Sequence, residues 1–367
     1  MRVAVTVEQS WAEVPGGAAR VTNELLGALA ARPELGVDVV GVAARHRRPP
    51  PAAWAPPVAT IAHLPLPTLA MFEGWHKLRW PPVEHATGPV DVVHGTIIAV
   101  PACRAPLVLT VHDLSFLAYP EHFTRRGVRF FRRALKLARR EPRLVTCPSQ
   151  ATMNECLAAG FDPDRLRLVP YGVRATPASK ADVEEARRRH RLGRPYVLFC
   201  GTVEPRKNLP RVIEAFRRAD RAGLDLVLAG PQGWNEQIDA LLGRLGHRAH
   251  ALGFVPAGDL GPLYAGATVV VYPSLREGFG LPVLEAMAQG APVVTSLGTS
   301  TEEVAGDAAL LVDPLDVDAI AAAITQVVDR PDLAERLADA GRARAATFTW
   351  DRTAELMAAV YTEAVDQ

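Results

Sequence analysis

Cysteine is scarce in this chain: Cys103, Cys147, Cys156 and Cys200 are all there is, with no Cys-x-x-Cys and no paired Cys/His spacing. That argues against a structural zinc site and against a disulfide framework, and fits a reducing compartment. Net charge is scarce too, since 41 Lys and Arg against 40 Asp and Glu leave +1. A chain whose main partner is nucleic acid would carry a basic footprint over a whole domain, so none is expected here. No apolar run approaches the ~18–20 residues that cross a bilayer. The opening MRVAVTVEQS also lacks the apolar stretch of a signal peptide, so a cytoplasmic protein is expected. No repeat of solenoid length is visible. The dinucleotide fingerprint G-x-G-x-x-G is missing, which disfavours an NAD-dependent dehydrogenase.

What the chain does have is length and alternation. With 367 residues, 49% of them hydrophobic, it can fill two ordinary domains. Val3–Val7, Val37–Val42, Val58–Ala62, Asp91–His94, Leu107–Val111 and Arg143–Thr146 are short β-branched runs between helical stretches, the pattern of buried parallel strands. After Tyr171-Gly172-Val173 the composition turns Ala-, Ser- and charge-rich until Gly193-Arg194-Pro195, which reads as a connection leading into a short helix. A second series follows: Tyr196–Cys200, Leu224–Ala229, His250–Leu252, Thr268–Tyr272, Pro292–Thr295 and Ala309–Val312, interleaved with helices such as Leu209–Arg221 and Asn235–Leu245. The expected fold class is therefore α/β, with two doubly wound, Rossmann-like domains and ligands in the cleft at the strand carboxyl ends. The expected boundaries are 1–173, a connection at 174–194, 195–348, and a final helical segment at 349–367.

One stretch of the second series concentrates chemistry: Ser274-Leu-Arg-Glu277-Gly278-Phe279-Gly280-Leu281-Pro282-Val-Leu-Glu285-Ala-Met-Ala-Gln-Gly290-Ala-Pro-Val-Val294. Two carboxylates flank a glycine-rich turn that opens a helix, for which Pro282 suits the first position. The glycines admit close backbone approach, and the helix N-terminus favours an anion such as a phosphate. Acids beside an anion site make sense if they accept hydrogen bonds from sugar hydroxyls while the amides take the phosphates. Two solvated glutamates on an ordinary turn are the plainer alternative. The spacing, the glycines, Pro282 and the following strand together resemble the donor-binding Glu-x7-Glu signature of the retaining glycosyltransferases of family 4, which have the GT-B fold. The resemblance implies that Glu277 contacts the transferred sugar, that Glu285 contacts the nucleotide ribose, and that the C-terminal run Thr349–Ala364 crosses back onto the N-terminal domain.

Further positions match the same family. Gly201-Thr-Val-Glu204-Pro-Arg206-Lys207-Asn208 follows a strand and precedes a helix, so Arg206 and Lys207 lie where they can bind a pyrophosphate and neutralise a departing nucleoside diphosphate. In Val14-Pro-Gly16-Gly17-Ala-Ala-Arg20, which leads into a helix running to about Ala31, Gly17 corresponds to the family's loop over the donor phosphate. His112, at the end of Leu107–Val111, resembles the family's histidine beside the transferred sugar. Asp113 orients it, contacts acceptor, or caps the next turn. No metal site is expected: Asp162-Pro-Asp164 and Asp316-Val-Asp318 read as a turn and a helix cap, and Arg206, Lys207 and a helix N-terminus supply positive charge without a divalent ion. No cofactor is expected beyond the donor substrate.

The expected activity is metal-independent, retaining transfer of a hexose from a nucleoside diphosphate sugar to an acceptor hydroxyl of a glycan, a lipid or a small molecule. The runs HDLSFLAY and GTVEPRKN lean toward mannosyltransferase-like relatives, hence GDP-mannose. The alternatives are a sugar-nucleotide epimerase or hydrolase of the same fold, and a catalytically silent nucleotide-binding subunit. Two surface readings complete the set. The run Thr124–Arg143 (TRRGVRFFRRALKLARREPR) is a basic helix, either an ordinary surface helix or one that adheres to an anionic membrane at its inner face. Leu64–Pro82 reads as an irregular Pro/aromatic segment that covers the sheet or stacks Trp75, His76 or Trp80 on an acceptor.

Overall fold

The computed structural model describes residues 1–12, 16–174, 176–233 and 237–367, with the backbone alone at 122. The chain divides into one unit of Met1–Gly172 with Trp350–Gln367, and another of Val173–Thr349.

The first unit is built on seven parallel strands: β1 (Arg2–Thr6), β2 (Asp38–Ala43), β3 (Ile61–His63), β4 (Val92–Gly95), β5 (Leu107–Thr110), β6 (Leu144–Cys147) and β7 (Leu166–Leu168). Their order is β3-β2-β1-β4-β5-β6-β7, so the connections reverse direction between β1 and β4. β1, β4, β5 and β6 are buried on both faces, which is why they read as unbroken apolar runs. The final helix, Trp350–Asp366, packs on this sheet: Ala354, Met357, Val360, Tyr361 and Ala364 join Val3, Val5, Leu25 and Leu29 in one core. At roughly 1.5–3 kcal/mol per large apolar side chain buried, those contacts suffice to recruit a helix from the far end of the chain.

The second unit repeats the plan with six parallel strands: β8 (Tyr196–Cys200), β9 (Asp225–Ala229), β10 (Ala249–Gly253), β11 (Val269–Tyr272), β12 (Val293–Ser296) and β13 (Leu310–Val312), ordered β10-β9-β8-β11-β12-β13. Its reversal lies between β8 and β11. The segment after Val173 belongs to this unit, its helix Lys180–Arg189 capped by a reciprocal Ser179/Asp182 pair.

Several local expectations change. The segment Leu64–Pro82 is not irregular: Thr68–Leu78 is a helix, its Trp75 and His76 are buried, and the Trp75 indole donates to the Pro81 carbonyl at 2.9 Å. Those two rings are core, and only Trp80 is exposed. The third strand shrinks from Val58–Ala62 to Ile61–His63, because Pro56 and Pro57 hold the preceding chain in a turn. Leu166–Leu168, too short to stand out as an apolar run, is a seventh strand. The helix expected from Asn235 is Asp239–Leu245, and 234–236 lie outside the described residues.

Candidate active site

In an open parallel sheet, ligands bind outside the strand carboxyl ends where the connections reverse. In the second unit that point is flanked by the loops leaving β8 and β11, and the residues singled out in sequence sit on those loops. Pro205–Lys207 forms one turn of 3-10 helix, then Asn208 takes a left-handed conformation (φ 65°) that its short side chain tolerates. Asn208 is buried, donating through Nδ2 to the carbonyls of Pro273 (2.9 Å) and Pro314 (2.6 Å). The two loops are also sewn together by the Leu275 amide on the Arg206 carbonyl at 2.8 Å.

That stitching brings Glu277 against the basic pair. Lys207 Nζ donates to Glu277 Oε1 at 2.5 Å and Arg206 Nη1 to Oε2 at 2.8 Å. The Tyr272 hydroxyl accepts from Lys207 and donates to Oε1 at 2.9 Å. The Ser274 hydroxyl also reaches Oε1 at 2.7 Å, with the Arg206 carbonyl 2.9 Å away as its alternative acceptor. On the far side of Arg206, Glu204 Oε1 lies 2.7 Å from Nη2. Burial works to raise the Glu277 carboxyl, but Arg206 and Lys207 outweigh it and hold the group at about 2. Burial, and then Arg206, pull the Lys207 ammonium below its ordinary value. Burial and the Glu277 charge push the Tyr272 hydroxyl well above its own, so it serves here as a neutral donor.

Beyond Glu277 the chain enters the helix Leu281–Ala288. Its N-cap is Gly280 at φ 111°, where a Cβ would lie 2.8 Å from Thr301 Cγ2, so a side chain is excluded both by conformation and by space. No side chain caps the helix. Leu281 is its first residue and Pro282 its second, one place later than expected; the second N–H is also unpaired inside a helix, so proline is equally at home. Gly278 is buried in the turn, and Phe279 turns its ring onto Phe348. Glu285 is buried one turn into the helix, where Tyr264 donates to its Oε2 at 3.2 Å.

The first unit gathers a different set. His112 follows β5 and has both ring nitrogens engaged: Nε2 with the Thr96 carbonyl at 2.8 Å, Nδ1 with the Tyr171 hydroxyl at 2.6 Å. A carbonyl only accepts, so Nε2 carries the proton and Tyr171 donates to Nδ1. Burial lowers the His112 pKa and keeps the ring neutral. A sugar hydroxyl approaching His112 must therefore displace one of these partners, which the sequence did not reveal. Asp113 Oδ1 accepts from the Ser115 amide at 2.8 Å, which is the capping alternative. Next to His112, His94 bonds Tyr361 and Thr110, each at 2.8 Å, and burial lowers its pKa to about 3. His94, Thr110, His112 and Tyr171, with Thr22 and Thr146, help line a cavity of about 20 Å³, room for one water. Gly17 is the exposed first residue of the helix Gly17–Ala31, with nothing within 4 Å of where a Cβ would stand; Val14 and Pro15 of its loop lie outside the described residues.

Among the described residues no group of three or more His, Cys, Asp or Glu side chains could hold a metal ion, and no helix is long and apolar enough to cross a membrane. Asp162 and Asp316 cap their turns, accepting backbone amides at 3.1 Å and 2.9 Å. Sequence reasoning missed Tyr272, Ser274, Glu204, Tyr171 and His94. A usable signal existed for Tyr272, a lone hydroxyl closing the buried run Val-Val-Val-Tyr at the carboxyl end of a strand, and for Glu204, an acid two residues before the basic pair.

The family model for glycosyltransferase family 4 matches residues 15–177, and that for group 1 glycosyl transferases matches residues 182–344. The O-antigen chain mannosyltransferase B of Escherichia coli is 35% identical over 270 residues, 71% of each chain. An MMP alpha-(1->4)-mannosyltransferase of Mycolicibacterium hassiacum is 31% identical over 303 residues, covering 76% of this chain and 72% of that one. Among solved structures, a sucrose-phosphate synthase of Thermosynechococcus elongatus superposes with a TM-score of 0.79 at 22% identity, covering 99% of this chain and 98% of its own. HepE of Anabaena, crystallised with UDP and glucose, gives 0.76 at 21% identity, covering 99% and 100%. The fold is the two-domain α/β GT-B class expected from the sequence.

Proposed function

This chain belongs to the family 4, group 1 glycosyltransferases, and from that premise we propose that it transfers a hexose, mannose in the first instance, from a nucleoside diphosphate sugar to an acceptor hydroxyl, without a metal and with retention. The observation that carries the reading is the cluster at the reversal between β8 and β11, where two cations, a carboxylate and an uncapped helix N-terminus converge. Arg206 and Lys207 take the diphosphate with amides at Gly280 and Leu281 and stabilise the leaving group; this is work a divalent ion does elsewhere. Glu277 accepts from hydroxyls of the transferred sugar, and Glu285 from the ribose. In the first unit, the family resemblance alone assigns neutral His112 to the sugar and Gly17 to the phosphate.

Mannose is favoured because two relatives that match over more than two thirds of their length are mannosyltransferases, one of them named for an α-linkage; a third, 30% identical and matched over 82% of its length, is a D-inositol 3-phosphate glycosyltransferase of Geodermatophilus obscurus. Acceptor and leaving phosphate then share a face of the sugar, and no base opposite the leaving group is needed. The acceptor is a glycan or a lipid-linked glycan. The helix Arg125–Ala138 favours the lipid-linked case: Arg125, Arg129, Arg132 and Lys136, spaced three and four apart, are exposed along one face, and exposed Arg140 follows in the turn beyond it. Its first turn carries arginines where the helix dipole disfavours cations, a cost that an anionic membrane surface would offset.

The test is to incubate the protein with GDP-mannose and a panel of other sugar nucleotides, with and without glycan acceptors, and to read nucleotide release and product. Acceptor-dependent release with an α-linked product, from its anomeric coupling, is expected. Isomerised donor or acceptor-independent release would favour the epimerase or hydrolase alternative, and a β-linkage would overturn retention.

A further inference from the structure

The two cations assigned to the diphosphate are already held. Arg206 lies between Glu204 and Glu277, at 2.7 and 2.8 Å, and Lys207 lies 2.5 Å from Glu277. Glu204, Lys207 and Glu277 are all at least nine-tenths buried. The formal charges of these four side chains sum to zero, so the cluster offers no surplus charge to attract a dianion. Nor can the cations leave freely, because a buried carboxylate stripped of its partners keeps its desolvation penalty. Glu277 has a reserve against that. Tyr272, closing β11, and fully buried Ser274 both present hydroxyls to Oε1, at 2.9 and 2.7 Å, from backbone that the loop-to-loop bonds hold in place.

We propose that Glu277 is an internal counter-ion that competes with the diphosphate for Arg206 and Lys207, and that Tyr272 and Ser274 are positioning residues that hold its carboxylate when the cations turn to the ligand. This rests on the reading of the second unit as the donor site. It gives Glu277 two alternating partners. A sugar nucleotide brings hydroxyl donors that replace the cations at the carboxylate, so its diphosphate meets free cations. A bare nucleoside diphosphate brings none and meets full competition. Once the sugar has been transferred, Glu277 reclaims Arg206 and Lys207, and the leaving nucleoside diphosphate loses its grip. The counter-ion thereby sharpens preference for donor over spent product and speeds product release.

The experiment is calorimetric titration of the full chain with UDP, GDP and inorganic pyrophosphate, together with steady-state kinetics. Glu277→Gln removes the competing charge at nearly constant shape, so its affinity for the diphosphate wild type binds should rise by about tenfold, one charge-assisted contact. Its turnover should fall. Tyr272→Phe works in the opposite direction, leaving the carboxylate more dependent on Lys207, with nucleoside diphosphate affinity falling several-fold and KM for donor rising more than kcat falls. A folded Glu277→Gln with equal or weaker diphosphate affinity would overturn the proposal. So would Tyr272→Phe with unchanged affinity, which serves alone if Glu277→Gln does not fold. If wild type binds no nucleoside diphosphate, the donor-site reading itself falls and the proposal with it; binding by wild type without tightening in the variant sinks the proposal alone.

Discussion

The two units run the same central strand order, β2-β1-β4-β5 in one and β9-β8-β11-β12 in the other, and both crowd polar side chains at the carboxyl ends beside the reversal. They fill that place differently. The first unit uses neutral groups in a chain of hydrogen bonds: Thr6 with Thr96, the Thr96 carbonyl with His112, His112 with Tyr171, and His94 between Thr110 and Tyr361. The second uses ions, Glu204, Arg206, Glu277 and Lys207, packed in alternation. The contrast follows the chemistry proposed for each. A departing diphosphate needs charge, whereas sugar and acceptor hydroxyls need oriented, uncharged donors and acceptors.

The largest consequence is the response to acid. Burial lowers His94 to about 3 and His76, on the Thr68–Leu78 helix, to about 4. Between those values and about 6.5 the folded first unit binds fewer protons than the unfolded chain, so its stability is complete above the window and lost as pH falls through it. At about 1.4 kcal/mol per unit, the two histidines together remove on the order of 6 kcal/mol by pH 4. Glu277, held at about 2, behaves otherwise: its contribution is complete above 4.5 and is lost only as pH falls through about 2. Lowering the pH from 7 to 4 should thus loosen the first unit while the second keeps its structure. Five of the six tryptophans, Trp11, Trp54, Trp75, Trp80 and Trp350, belong to the first unit, so in a Trp234→Phe background tryptophan fluorescence follows it and amide exchange in Tyr196–Cys200 follows the second. Loss of both together, or of the second first, would break the comparison.

Gly280→Ala should cost about 1–3 kcal/mol by forcing a side chain into a left-handed position against Thr301. It should lower the thermal midpoint of the second unit and weaken nucleotide binding while leaving the acid transition of the first unaltered; normal binding would exclude that helix start from the site. Glu285→Ala should weaken nucleoside diphosphate binding about tenfold, the value of a hydrogen bond to a charged group, with no change in acid response. The smallest effect is expected from Tyr171→Phe, which removes the donor to His112 Nδ1 at about 1 kcal/mol. Turnover should fall several-fold with nucleotide affinity unchanged, and altered affinity would mean that His112 serves the nucleotide rather than the sugar.

Much of this was legible from local pattern. Parallel strands buried on both faces leave continuous apolar runs, so eleven of the thirteen strands could be placed nearly to the residue, and two glycines following an acid, Glu277-Gly278-Phe279-Gly280, marked the turn that opens the helix Leu281–Ala288. What escaped depends on contacts across many residues. The Thr68–Leu78 helix is hidden by flanking prolines and by aromatics that suggest a surface, though Trp75 and His76 face the core. The partners of Glu277 lie 70 residues away at Lys207 and 71 at Arg206, and the partner of His112 lies 59 away at Tyr171. Type and position of such residues can be read in the chain. Who neutralises whom cannot, because loop-to-loop hydrogen bonds such as Leu275 on Arg206 decide it.

The most direct test of the account is a titration of nucleoside diphosphates, GDP first, into wild type and into Arg206→Ala and Lys207→Ala. Wild type should bind at least one of them, and each variant, verified as folded by its circular dichroism and thermal midpoint, should lose about ten- to a hundredfold in affinity, a charge-assisted contact of roughly 1.5–3 kcal/mol. Binding that is absent in wild type, or that survives undiminished in both variants, would contradict the placement of the donor on the second unit's charged cluster.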